Sequence, residues 1–208
     1  MGVKLKVCGM RDPDNIQQLA ALQPDYMGFI FYAPSKRFVG DLDPALIKLL
    51  PSGIKPTGVF VDESLDKVIE LSNKYQLRAI QLHGAESSDY CFKLKQQNTN
   101  IEVIKAFGIN QEFNFELLGA YQHVVDYFLF DTQTAAHGGS GRTFDWAVLE
   151  NYRLQVPYFL SGGIALEHVA LIQAISDARL YAVDVNSRFE SDPAIKNIEQ
   201  IMTFKNQL

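Results

Sequence analysis

The chain has no basic run, no long apolar run and no cysteine framework, and each absence removes a class of function. Of its 208 residues, 19 are Lys or Arg and 24 are Asp or Glu, for a net charge of −5 with no cluster of positive residues. Gripping a nucleic-acid backbone needs such clusters, so no nucleic-acid partner is expected. No apolar stretch approaches the roughly 20 residues a helix needs to cross a bilayer. The opening residues, Met1-Gly2-Val3-Lys4-Leu5-Lys6, do not run through the charged head, apolar centre and cleavage site of a secretory signal. These features predict a cytoplasmic protein with no membrane partner. The two cysteines, Cys8 and Cys91, fall in a strand near the start and in a much later helix. Both are expected to be free thiols, one of them available for chemistry. The four histidines, His83, His123, His137 and His168, show no metal-ligand spacing, and no metal is expected.

What is present is an ordinary globular balance, 47% hydrophobic and 21% charged, in a length that buries one substantial core. One domain over residues 1–208 is the expectation, with no linker or low-complexity tract. Eight short runs rich in β-branched and aromatic residues recur along the chain: Lys4 to Cys8, Tyr26 to Phe31, Pro56 to Val61, Ala79 to His83, Glu102 to Phe107, Tyr127 to Asp131, Pro157 to Ser161 and Tyr181 to Val185. Between them lie runs of helical period, such as Ile16, Leu19 and Ala20, or Leu65, Val68 and Ile69. Asp12-Pro13, Asp43-Pro44 and Asp192-Pro193 each offer a capping carboxylate followed by a proline suited to the first helical position, and predict three helix starts. Such alternation implies parallel strands with crossover helices, either as an open doubly wound sheet or as a closed barrel. Eight units with no strand left over favour the α/β (β/α)₈ barrel with helices outside.

A barrel of this kind builds its site at the C-terminal ends of its strands. The first strand ends in Cys8-Gly9, the fourth in Gln81-Leu82-His83-Gly84, the sixth in Asp131-Thr132 and the seventh in Ser161-Gly162-Gly163, while the eighth runs through Asp184 to Asn186-Ser187. Side chains alternate along a strand, so Cys8 shares a face with Lys6, His83 with Gln81 and Asp131 with Leu129. If the last residue of each strand faces inward, these polar groups meet over the barrel mouth. Each also has a plainer reading. A strand cysteine is commonly a small core residue, and an aspartate after a strand commonly caps the adjoining loop or helix. His83 alone reads more readily as a hydrogen-bonded rim residue than as a metal ligand.

Two glycine-rich segments invite comparison with phosphate loops. In His137-Gly138-Gly139-Ser140-Gly141-Arg142-Thr143, Ala136 stands where the first glycine of such a loop belongs and Arg142 where its lysine belongs. A lid after the sixth strand is the better reading. Ser161-Gly162-Gly163-Ile164 comes after the seventh strand, where this fold often holds a phosphate by backbone N–H groups.

Taken in order, Lys6-Val7-Cys8-Gly9-Met10, Phe31 with Ser35-Lys36-Arg37-Phe38-Val39, Gln81-Leu82-His83-Gly84, Phe130-Asp131-Thr132, Gly138 through Trp146, Leu160-Ser161-Gly162-Gly163 and Val183-Asp184-Val185-Asn186-Ser187 resemble the phosphoribosylanthranilate isomerase family. The resemblance runs end to end. It implies a cofactor-free (β/α)₈ barrel that performs an Amadori rearrangement on N-(5-phosphoribosyl)anthranilate in tryptophan biosynthesis, as a monomer or a homodimer. It assigns Asp131 as general acid and Cys8 as general base, and pairs Arg37 with the anthranilate carboxylate. It puts Asp184 near the ribose and His83 among the substrate-binding residues, and has backbone N–H groups of Gly162, Gly163, Asn186 and Ser187 hold the phosphate. A thiol works as a base only when ionised, so the site is expected to lower the pKa of Cys8 below its reference of about 8.5.

One departure stands out. Where the family often has Ser-Ser-Gly-Val-Glu, this chain has Asn186-Ser187-Arg188-Phe189-Glu190, so Arg188 replaces a permissive glycine. Two other readings keep a footing: another sugar-phosphate barrel isomerase, epimerase or synthase centred on Lys6 or Lys105, and a ligand-binding barrel without catalysis.

Overall fold

A computed structural model describes residues 2–132 and 144–208. Eight strands close into a parallel barrel in chain order: β1 (Lys4–Val7), β2 (Tyr26–Ile30), β3 (Lys55–Phe60), β4 (Ala79–Leu82), β5 (Glu102–Ile109), β6 (Tyr127–Thr132), β7 (Tyr158–Leu160) and β8 (Leu180–Val185). β8 closes on β1 with Lys6 beside Asp184, a register that matters at the site. Outward-facing residues such as Val7, Met27, Phe29 and Phe60 are buried in the main apolar cluster, which α1 (Pro13–Ala21), α2 (Pro44–Lys48), α3 (Leu65–Tyr75) and α4 (Ser88–Gln97) join through residues such as Ile16, Ile47, Val68 and Leu94.

The outer layer is uneven, which the sequence pattern does not anticipate. After β5 and β6 the described crossovers hold only 3₁₀ turns, Phe115–Ala120 and Trp146–Asn151, and after β7 a short α5 (Val169–Gln173). Aromatic rings occupy the wall there: Phe107 meets Phe113 and Tyr121 edge-on, and Phe115 meets Phe130 and Tyr152. Each ring buries a large area without the backbone length of a helix.

Two of the three Asp-Pro helix starts are present. Asp12 accepts from Asn15 N at 2.8 Å and Asp43 from Ala45 N at 2.9 Å, with proline in the first turn of each helix. The third expectation is wrong. Asp192 ends β9 (Glu190–Asp192), which turns through Pro193 and Ala194 into β10 (Ile195–Lys196). The last helix, α6 (Ile198–Gln207), starts later under Asn197, whose side chain accepts from Gln200 N at 3.0 Å. The hairpin prevails because it buries Lys196 against Glu190, contacts a helix begun at Pro193 would lose. Arg188 lies in a 3₁₀ turn, Ser187–Phe189, and is not among the residues with positive φ, so this turn needs no glycine.

Candidate active site

Strand alternation sorts the barrel interior into layers. Tyr26, Ala79, Ile104, Ala106, Leu129, Phe159 and Ala182 form a buried apolar cluster inside. Two residues further along their strands come Gly28, Gln81, Asp131, Ser161 and Asp184, with Lys6 level with Asp184 and Cys8 above it. The interior therefore changes from apolar to polar toward the C-terminal ends of the strands.

Cys8 is buried at this rim, directly against β2. A Cβ built on Gly28 would lie 2.7 Å from Cys8 Sγ and 3.0 Å from Cys8 Cα. The absence of a side chain at Gly28 is what leaves room for the thiol, and a glycine inside a strand often marks such a close approach. Gly28→Ala is therefore expected to push the sulfur aside. We predict a fall of about 10²-fold in activity, the scale of a one-ångström displacement within a site, with the cooperative melt retained, checked by steady-state kinetics beside a circular-dichroism melt.

Below Cys8, Lys6 Nζ donates to Asp184 Oδ2 at 2.8 Å, and both groups are buried. Burial works against the Lys6 ammonium, but Asp184 and then Cys8 outweigh it and Lys6 stays charged. Asp184 Oδ1 is buried with no hydrogen-bond partner among the described residues, an acceptor left unsatisfied beside the Lys6 pair. For the Cys8 thiol, burial dominates and pushes its pKa up; Lys6 and Lys196 pull it down and Asp184 adds to the rise. This reverses the expected lowering, because desolvation of the thiolate cannot be read from a sequence and here exceeds the two lysines. Cys91, inside α4, is pushed up to about 11 by burial, which the Lys105 charge opposes and Glu86 adds to.

Across the mouth, Asp131 Oδ1 accepts from its neighbour Thr132 N at 2.8 Å. Its other oxygen faces His83 Nε2 at 3.4 Å. Gln81 Nε2 donates to His83 Nδ1 at 2.7 Å, and with the amide oriented that way the Nε2 proton points at Asp131. Gly162 and Gly163 take φ of 91° and 63°, left-handed backbone that favours glycine. A Cβ on Gly162 would overlap Thr132 Oγ1 and sit 2.9 Å from Asp131 Oδ1, so the glycine turn after β7 runs directly against the carboxyl group.

The third part of the rim joins the β2–α2 loop to the β9–β10 hairpin. Arg37 donates to Glu190 through Nε at 2.8 Å and Nη2 at 2.6 Å, a two-pronged pair. Lys196 Nζ donates to Glu190 Oε1 at 2.5 Å and to Asn186 Oδ1 at 2.7 Å. Burial opposes the Glu190 carboxylate, but Arg37 and Lys196 hold it below its usual range. A Cβ on Gly9 would lie 2.7 Å from Arg37 Cδ and 2.9 Å from Asn186 Oδ1, so this group rests on the residue next to Cys8.

The structure thus brings Cys8, His83, Asp131 and Asp184 to one rim, with Arg37, Gly162, Gly163, Asn186 and Ser187 on the loops around it. The proposed lid, His137 through Thr143, lies outside the described residues. Sequence reasoning missed Gly28, Glu190 and Lys196. An isolated strand glycine was a legible signal for the first; the other two were hidden by the helix expected at Asp192-Pro193. Lys105, one of the two alternative catalytic lysines, points away from the mouth into Glu86 and the carbonyls of Leu82, Gly84 and Ala106.

A closed parallel barrel with a thiol, carboxyl groups and an arginine at its C-terminal rim defines an α/β-barrel site suited to a small anionic ligand and to proton transfer. Residues 5–207 match the model of the N-(5'phosphoribosyl)anthranilate (PRA) isomerase family, and the chain belongs to that family. It is 41% identical over 204 residues to the N-(5'-phosphoribosyl)anthranilate isomerase of Phocaeicola vulgatus, covering 98% of this chain and 97% of the relative. The crystal structure of phosphoribosyl anthranilate isomerase from Thermotoga maritima superposes with a TM-score of 0.85 at 34% identity, covering 99% of this chain and 98% of that one. A phosphoribosyl anthranilate isomerase in complex with reduced 1-(o-carboxyphenylamino)-1-deoxyribulose 5-phosphate superposes with a TM-score of 0.82 at 31% identity over the same shares of the two chains.

Proposed function

We propose that this protein isomerises N-(5-phosphoribosyl)anthranilate to 1-(2-carboxyphenylamino)-1-deoxyribulose 5-phosphate in L-tryptophan biosynthesis, in the cytoplasm and without cofactor. The observation that carries this reading is the placement of a thiol just past the end of β1 and a carboxyl group on β6 at one polar rim, together with membership of the family. In the proposed sequence, Asp131 gives its proton to the furanose ring oxygen as the C1–O bond breaks, and the anilino nitrogen lone pair forms the protonated Schiff base. Cys8, as thiolate, takes the proton from C2, and the C2–H electron pair neutralises the iminium to give an enolamine. Loss of the enol proton and protonation at C1 complete the ketone.

The remaining groups account for binding. Glu190 holds one edge of the Arg37 fork, and the Nη1/Nη2 end faces the anthranilate carboxylate. The unpartnered oxygen of Asp184 accepts from a ribose hydroxyl, and His83 beside Asp131 contacts the ring. Backbone N–H groups around Gly162, Gly163, Asn186 and Ser187 hold the phosphate, where the two left-handed glycines let the main chain approach an anion closely. The two cysteines, both free, suit a reducing compartment.

The test is turnover of freshly prepared phosphoribosylanthranilate, monitored by loss of its fluorescence. Purified protein is expected to turn it over with no added metal and with undiminished rate in chelator. No turnover, or turnover abolished by chelator, overturns the reading.

A further inference from the structure

We propose that Glu190 and Lys196 form a buried brace that aims the Arg37 guanidinium into the site and keeps that corner positively charged. This rests on the isomerase reading for the identity of the anion that Arg37 meets. The residues come from three places in the chain: Arg37 from the loop after β2, Glu190 from the start of β9, and Lys196 from the end of β10. Both brace side chains are almost wholly buried, at 5% for Glu190 and 0% for Lys196, whereas Arg37 retains 15%. The two buried groups thus stand behind the one with some access.

Charge arithmetic explains why both are needed. Arg37 paired with Glu190 alone carries no net charge, so its pull on an anion falls to that of a dipole and its free N–H groups. Adding Lys196 restores a net charge of one positive unit. Glu190 in turn separates two cations that would otherwise repel each other and fixes the orientation of the guanidinium plane. Ala194, at the hairpin turn, takes a left-handed φ of 70° and donates its N–H to Glu190 Oε1 at 3.2 Å, so the turn itself helps hold the carboxylate. Asn186, accepting from Lys196, ties the brace to the loop after β8.

The brace also reaches Cys8 through charge. Among the described residues, the charged groups acting on that thiol are Lys6 two residues before it, Asp184 on β8, Lys196 on β10 and Arg37 on the β2–α2 loop. Removing a cation from this set favours the thiol, and removing the anion that offsets Arg37 and Lys196 favours the thiolate. Glu190 and Lys196 are positioning residues, acting on substrate and base through Arg37 and through the field.

The test compares Lys196→Met, Lys196→Arg and Glu190→Gln with wild type in two measurements. The first is the split between KM and kcat. The second is the pH dependence of Cys8 alkylation by iodoacetamide, located by peptide mapping. Lys196→Met is expected to raise KM about tenfold, the scale of one charge-assisted contact, and to move the alkylation midpoint alkaline by about one pH unit. Glu190→Gln is expected to raise KM as well, by releasing Arg37, but to move the midpoint toward acid. Lys196→Arg keeps the charge and is expected to stay within a few-fold of wild type. Opposite midpoint shifts are a signature that general loosening of the hairpin does not produce.

Unchanged KM and midpoint in both charge-removing variants overturn the brace, as do shifts in the same direction. If Lys196→Met does not fold, the acid-ward midpoint of Glu190→Gln decides alone. If wild type does not turn over phosphoribosylanthranilate, the isomerase reading falls, and the two alkylation midpoints still decide whether the brace exists.

Discussion

Asp131→Asn and Cys8→Ser are each expected to lower kcat and kcat/KM together by about 10²- to 10⁴-fold, the range general acid–base groups supply. Asparagine keeps the shape of the side chain and its acceptor for Thr132 N, which bonds to Asp131 at 2.8 Å, but has no acidic proton to deliver. Serine keeps a small polar side chain against Gly28, yet its hydroxyl ionises far too weakly to remove a carbon-bound proton. The pH profile gives a second test. Burial raises the Cys8 thiol, so the thiolate forms only as pH climbs through a value above the ordinary thiol range, and activity that needs it is lost as pH falls below that value. The limb of kcat/KM against pH is therefore expected on the alkaline side in wild type, and absent from whatever activity Cys8→Ser retains. Wild-type rates in both variants would defeat the assignment of roles.

Much of this architecture was legible in the sequence because a closed barrel repeats one instruction. All eight strands are predicted within about two residues of their observed ends, since each is a short β-branched and aromatic run bounded by polar turns. Cys8, Asp131 and Asp184 could be nominated from chain position, because in this fold strand ends and site coincide. What the sequence withheld depends on distance or solvent. The direction of the Cys8 shift turns on desolvation, which appears only once Lys6, Asp184 and Lys196 have been placed around it. Lys196 looked like the first turn of a helix, and its contact with Glu190 exists only because Pro193 and Ala194 make a hairpin instead. The aromatic wall after β5 was invisible for a related reason: Phe113, Phe115 and Tyr121 do not repeat with a helical period, although they bury as a helix face does.

Lys105 separates a structural lysine from a catalytic one, and Lys105→Met is expected to destabilise the fold by about 3–5 kcal/mol while leaving turnover per folded molecule within a few-fold of wild type. Its ammonium lies within 3.2 Å of the carbonyl oxygens of Leu82, Gly84 and Ala106 and of Glu86 Oε2, and both charged side chains are 2% exposed. Methionine fills a similar volume but leaves Glu86 as a buried carboxylate without its cation, and leaves three carbonyls short of a donor. Glu86 keeps hydrogen bonds from Asp62 N and Gly84 N, which limits the damage and keeps the loop after β4 near its path. For a chain of this length the loss corresponds to a fall in Tm of the order of 10 °C, read by a circular-dichroism melt. Adding Glu86→Leu is expected to recover part of it, because an apolar pair strands no charge. A lysine that formed a covalent adduct with a sugar phosphate would give the reverse pattern, with turnover abolished and Tm nearly unchanged, and that result would return the synthase reading to contention. The position of Lys105 argues for the first pattern: it anchors the β4 loop from the outer side of the strand while His83, at the start of that loop, stands 3.4 Å from Asp131 on the inner side.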